Sequence, residues 1–225
     1  NPTYPVRNGW QYLVDELANE LRTNFSEPVI LVGHSMGGML SLMVACAHPE
    51  LIRCVVLVDA PVVAGWRAVL LRLAKLTGMD LKFSPAQFSI KRRNHWADAA
   101  AAYQHYAVKP MFAAWAPGVL NDYMESGLKP DATGVTLSFT REIETAVYRS
   151  LPDNIGRMVR HGVQVPVGFV GGLESIECRQ AGLAATRRLV GEHLQLLPGG
   201  HLLTMEHPVP TAQAVRQMIR TLLAD

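Results

Sequence analysis

The sequence predicts an α/β fold: a parallel sheet flanked by helices, with one long helical segment inserted. Three observations predict it. Short continuous apolar runs at Pro28–Val32, Cys54–Val58 and Val165–Val170 end in glycine or aspartate, the pattern of strands buried on both faces of a parallel sheet. Stretches with apolar residues at helical spacing separate them. The order is strand, helix, strand, a long helical stretch, then strand, helix, strand, helix, which builds βαβ units with a single insertion.

Taken in order, Tyr4-Pro5 and Asn8-Gly9 read as a loop. From Trp10 to Phe25, Leu13, Leu17 and Leu21 recur on one helical face, with Asp15, Glu16 and Glu20 on the others. The strand Pro28–Val32 follows. A helix from about Met36 to Ala47 stops before Pro49, since the residue ahead of a proline is pushed out of helical conformation. Cys54–Val58 is the second buried strand, closed by Asp59-Ala60-Pro61. Residues 62–162 are helical and aromatic, with Trp66, Trp96, Tyr103, Tyr106, Phe112, Trp115 and Tyr123, and one short strand at Gly134–Phe139. The strand Val165–Val170 leads into Gly171-Gly172. A helix over about Arg179–Val190, a strand at His193–Leu197, the loop Pro198-Gly199-Gly200 and a helix from about Pro210 to Leu223 complete the chain. The expected organisation is a core of residues 1–61 and 163–225 with a helical cap over 62–162.

The 225 residues suffice for one domain of ordinary size, and 49% hydrophobic with 18% charged residues is a globular composition. A net charge of +2, from 21 basic and 19 acidic residues, gives no electrostatic reason to expect nucleic acid or an anionic membrane. The longest basic cluster, Lys91-Arg92-Arg93, reads as a solvated turn. Cys46, Cys54 and Cys178 show no metal-binding spacing. They suit a reducing compartment, so the expected location is cytoplasmic. The most apolar stretch, Val55 to Ala74, is broken by Asp59, Pro61, Arg67 and Arg72, so no membrane insertion is expected. Neither metal nor cofactor is called for.

Gly33-His34-Ser35-Met36-Gly37 fits G-x-S-x-G between a buried strand and a helix, the context that gives this motif meaning. A serine on so tight a turn adopts a strained backbone and presents its hydroxyl. Glycine two residues to either side keeps a Cβ from striking neighbouring backbone, and Gly38 lets the helix approach the sheet. The amide of Met36, at the helix N-terminus, is a natural oxyanion donor. The plain alternative is a glycine turn with an inert serine. His34 lies inside the elbow, with its side chain expected to point away from the hydroxyl.

A nucleophilic serine needs a base. Of eight histidines, His48, His95, His105 and His161 fall on helix ends or in the insertion, and His193 begins a strand. His201 alone follows a buried strand through a Pro-Gly-Gly loop that can carry an imidazole over the elbow. His207 is the runner-up, and a loop histidine bonded to backbone is the plain alternative for His201.

The stretches Val29-Ile-Leu-Val-Gly-His-Ser-Met-Gly-Gly38 and Pro198-Gly-Gly-His-Leu-Leu-Thr-Met-Glu-His-Pro208 resemble the α/β-hydrolase superfamily, and within it most resemble serine esterases and related lid-bearing hydrolases. The likeness covers nearly the whole chain in order of elements. A serine nucleophile separates it from the superfamily's haloalkane dehalogenases and epoxide hydrolases, which use aspartate. The resemblance implies a carboxylate that orients the imidazole, and two residues compete for that role. Glu174, after the third strand, stands where the superfamily usually has its acid, though as Asp. Asp59, at the end of the second strand, stands where some members carry theirs, and a strand end holds a carboxylate more rigidly.

The chain also departs from the superfamily pattern. That pattern has several strands before the elbow, and a loop there donates the second oxyanion N–H. Here about 27 residues precede the elbow strand and no His-Gly marks such a loop. The expectation is a chain lacking its N-terminal strands. The aromatic insertion predicts a mostly apolar pocket, although such rings equally well glue cap helices together. The expected function is hydrolysis of a small-molecule carboxylic ester or related acyl substrate with an apolar portion. An acyltransferase, a carbon–carbon bond hydrolase and a non-catalytic ligand-binding member are the alternatives.

Overall fold

The structure, a computed structural model, describes residues 9–77 and 86–224. The loop read at Tyr4-Pro5 and Asn8 lies outside them. The described residues fall in two compact units, one of residues up to 74 and from 152 onward, the other running from 75 to 151.

In the first unit, α1 (Gln11–Asn24) buries Val14, Ala18 and Leu21. Leu13 and Leu17 only flank that face, which is centred one residue later than the leucine spacing predicts. Strand β1 (Val29–His34) runs into α2 (Met36–Ala47), and β2 (Ile52–Val58) follows a short 3-10 turn. Helix α3 (Trp66–Leu76) leaves this unit for the next.

The second unit holds α4 (Ala86–Ser89), β3 (His95–Trp96), α5 (Ala99–Ala107), α6 (Pro110–Ala113), α7 (Val119–Gly127), β4 (Leu128–Asp131), β5 (Gly134–Leu137) and α8 (Arg141–Arg149). Asp98 caps α5 by accepting from the Ala101 amide at 2.7 Å. The single strand read from sequence is the middle of a three-stranded antiparallel sheet, ordered β3-β5-β4. The other two strands escape periodicity because β3 is two residues long and Leu-Lys-Pro-Asp shows no apolar alternation. A local turn makes β4, where Asp131 accepts from the Thr133 amide at 2.8 Å.

Back in the first unit come α9 (Ile155–Met158), β6 (Val167–Gly172), α10 (Ile176–Ala181), α11 (Ala184–Val190), β7 (Leu194–Leu197), α12 (Leu203–Glu206) and α13 (Pro208–Ala224). The helix expected over 179–190 is two helices, because Gly182 at φ 70° ends the first.

The core sheet is parallel throughout, in the order β1-β2-β6-β7. Burial on both faces holds for β2 and β6, which are sheathed by neighbours. It fails for β1, which pairs with β2 alone among the described strands and leaves Val32 48% exposed. Side chains of β2 alternate. Val56 and Val58 join Val170, Leu203, Ala214, Met218 and Leu222 in one cluster beneath α13, while α2 packs on β1 and β2. Each fully buried Val, Leu or Phe contributes about 1.5–3 kcal/mol, so the sheet is held most firmly at its centre. No helix among the described residues is long and apolar enough to cross a membrane.

Candidate active site

Parallel strands deliver their ends to one edge of the sheet, where α/β proteins place their chemistry. Ser35 follows β1 directly, and its amide still donates to the Val58 carbonyl at 3.0 Å. Its backbone then turns to φ 53°, ψ −118°, a conformation that L-residues hold only when the surroundings enforce it. The enforcement is steric. A Cβ on Gly33 would collide with the Gly37 carbonyl and the Gly38 nitrogen. One on Gly38 would lie 2.5 Å from Ala60 Cβ and 2.6 Å from the Gly33 oxygen. Gly37 differs from the expectation, since a Cβ there meets nothing within 4 Å. The tight approach is made by Gly33 and Gly38. The Met36 amide opens α2, ahead of any carbonyl the helix could offer it, and so is available to an anion.

Asp59 repeats the device one strand over. Its amide donates to Val170 O at 2.8 Å, and its backbone turns to φ 43°. The side chain is fully buried. Oδ2 accepts from the Gly172 amide at 2.7 Å, while Oδ1 accepts from the Ser175 hydroxyl at 2.7 Å and from His201 Nδ1 at 2.8 Å. The Cys178 thiol lies 3.5 Å from Oδ2. Burial alone would raise the carboxyl's pKa, but the hydrogen bonds from His201, Gly172 and Ser175 outweigh it and hold the group below its ordinary value. Asp59 is therefore an anion at neutral pH.

A carboxylate only accepts, so Nδ1 of His201 donates to it, and in that tautomer Nε2 is the acceptor. Nε2 stands 2.9 Å from Ser35 Oγ. The serine hydroxyl thus donates to the imidazole, and the imidazole donates to Asp59. His34, set aside as a base, has a second use. Burial lowers its pKa and keeps it neutral, and its Nε2–H donates to the His201 carbonyl at 2.7 Å. The two rings lie 4.9 Å apart.

Of the two rival carboxylates, the structure joins Asp59 to His201. Glu174 is exposed, and its backbone amide bonds the Gly199 carbonyl at 3.0 Å. His207 ends α12, with its amide on Leu203 O. Sequence reasoning passed over Ser175, the Gly172 amide and Glu177. Ser175 was detectable as an N-cap: its hydroxyl accepts from the Cys178 amide at 3.1 Å and starts α10. Gly172 was not, since its role is close approach. A Cβ there would strike the carbonyls of Gly199 and Gly200, the residues leading to His201. Ligand atoms of Asp59, Glu177 and His201 all lie within 4.8 Å of one another. Within this group Asp59 and His201 are joined by the 2.8 Å hydrogen bond, and Glu177 Oε2 stands 3.7 Å from the same nitrogen.

A family model described as the α/β hydrolase fold matches residues 12–208. No curated protein sequence matches significantly. Among solved structures, an E-2-(acetamidomethylene)succinate hydrolase superposes with a TM-score of 0.74 at 24% identity, over 96% of this chain and 76% of that one. A thioesterase domain from the curacin biosynthetic pathway gives 0.64 at 22%, over 95% and 73%. A carboxylesterase structure from the ammonia-oxidizing thaumarchaeon Nitrososphaera gargenis gives 0.67 at 17%, over 99% and 75%. At these identities the solved structures establish the fold, and the family match spans most of the sequence: the chain belongs to the α/β-hydrolase fold family.

Proposed function

We propose that the protein is a serine hydrolase that cleaves a carboxylic ester or related acyl substrate with an apolar portion, through an acyl-enzyme on Ser35. The observation that carries this reading is the continuous hydrogen-bond chain from Ser35 Oγ through His201 to buried Asp59, at 2.9 and 2.8 Å. In the first half-reaction Nε2 of His201 takes the hydroxyl proton as Oγ bonds to the carbonyl carbon. The Met36 amide, with a second donor, stabilises the resulting oxyanion. Collapse breaks the ester bond, and the imidazolium returns its proton to the leaving alcohol. Water then attacks the acyl-enzyme with His201 again as base, releasing the acid and restoring Ser35. Asp59 stays ionised throughout and holds the tautomer that leaves Nε2 free.

Relatives named as a carboxylesterase and a thioesterase domain are in keeping with acyl chemistry. Residues 62–162 serve in this reading as the cap. Within that span Tyr106, Phe112, Trp115 and Tyr123 pack on one another, with centroids 4.6–6.0 Å apart, so these rings mainly hold their own unit together. The three free cysteines are compatible with a cytoplasmic setting.

The test is a fluorophosphonate probe read by intact mass, beside a panel of esters. The expected result is one adduct on Ser35, absent in Ser35→Ala and His201→Ala. Turnover of the best ester should fall by roughly three to six orders of magnitude in Ser35→Ala. A loss under tenfold, or no adduct on folded protein, refutes the assignment and favours the ligand-binding alternative.

A further inference from the structure

Resting on that reading of Ser35 and His201, we propose that Glu177 is a positioning residue for the reaction, a second carboxylate that supports the His201 imidazolium and can take over Nδ1–H from Asp59. Glu177 is the second residue of α10. Its Oε2 lies 3.7 Å from His201 Nδ1 and 3.5 Å from the Ser175 hydroxyl. Ser175 donates in turn to the same Asp59 oxygen that receives His201. One imidazole nitrogen therefore faces two carboxylates, one fully buried and one with a side chain 46% exposed.

The two differ in what they can do. Asp59 is immobilised by Gly172, Ser175 and His201. Glu177 stands on the first turn of a helix with an exposed, rotatable side chain, and a shift of under about 1 Å would bring it within hydrogen-bond reach of Nδ1. When Ser35 gives its proton to Nε2, positive charge appears on a ring with Glu177 already beside it, and opposite charge at this range favours the charged form. No covalent bond to Glu177 forms or breaks. The other titratable groups around the ring are accounted for. Asp59 holds it directly, His34 bonds the His201 carbonyl beside it, and the Cys178 thiol, pushed up to about 12 mainly by burial, stays protonated. Glu206 Oε2 accepts from the Gly200 amide at 2.7 Å, where it supports the loop.

The experiment compares wild type, Glu177→Gln, Glu177→Asp, Asp59→Asn and the Asp59→Asn/Glu177→Gln double variant. The fluorophosphonate labelling rate is recorded against pH, and the His201 tautomer is read from imidazole 15N shifts. Removing one negative charge beside the imidazolium keeps the base neutral to lower pH. Glu177→Gln should therefore move the acid limb of the labelling profile down by about half a pH unit, with a plateau about three- to tenfold lower. Glu177→Asp should restore part of both. Asp59→Asn should keep the Nδ1–H tautomer in a measurable fraction, and the double variant should lose it along with at least about tenfold more labelling. Superimposable profiles for wild type and Glu177→Gln, with one tautomer ratio in both Asp59→Asn backgrounds, would overturn the proposal. If the tautomer responds to Glu177 while wild-type Ser35 never labels, the coupling stands and the serine-hydrolase reading fails.

Discussion

Two neighbouring glycines in the elbow should respond oppositely to the same added methyl group. In Gly38→Ala the new Cβ would stand 2.5 Å from Ala60 Cβ and 2.6 Å from the Gly33 carbonyl oxygen. Apolar carbons rest at about 3.5–4.0 Å, so α2 must retreat from the strand ends by about 1 Å. Neither neighbour can yield cheaply, because one is backbone of β1 and the other adjoins Asp59, whose backbone is held at φ 43°. Such overpacking costs about 1–3 kcal/mol, and rigid neighbours put it near the top of that range. Alanine's better helix propensity returns up to about 1 kcal/mol, leaving about 2 kcal/mol of destabilisation. For a chain of this size that lowers Tm by about 4–8 °C. Labelling of Ser35 should slow as well, because the retreat pulls the serine turn away from Asp59 and His201. In Gly37→Ala the methyl meets nothing within 4 Å, so only the propensity gain remains and Tm should hold or rise slightly. The assay is thermal unfolding of both variants and wild type under one scan rate, with probe labelling alongside. Equal destabilisation of the two variants, or a Gly38→Ala protein as stable as wild type, would refute the steric account of the elbow.

The remaining predictions concern the histidine's partners. Asp59→Asn should lower turnover by at least about a hundredfold, since an amide no longer enforces the Nδ1–H tautomer, whereas Glu174→Gln should stay within about twofold of wild type. The same aspartate ties stability to acid. Its pKa is depressed in the folded state, so its stabilising contribution is complete above the unfolded value near 3.8 and is lost as pH falls through the lower folded value. Asp59→Asn should flatten that part of an acid-unfolding curve, and an unchanged curve would contradict the assignment. His34→Ala removes the donor to the His201 carbonyl, a hydrogen bond worth about 1 kcal/mol or somewhat more. The expected outcome is a fall in kcat of about tenfold with KM little changed, and a KM effect alone would argue against a role in holding the base.

What the sequence determined by itself was the part of the molecule written in local pattern. Strands of the core sheet announce themselves as short, mostly apolar runs closed by turn residues, and a serine between such a run and a helix requires glycines at fixed offsets. The four core strands, the elbow at Ser35 and the histidine after the last strand were therefore legible. What tertiary structure alone decided were relations between residues far apart in the chain. The contact of Asp59 with His201 depends on which strand end points a carboxylate at a loop 142 residues away. The support of Asp59 by Gly172 and Ser175, the tie from His34 to the His201 carbonyl, and the approach of Glu177 to Nδ1 are contacts between the ends of different strands and the segments that follow them. Periodicity reports which face a residue occupies, not which side chain lies opposite. Hydrogen bonds between strand ends are set by sheet order and register, which only the packed chain fixes.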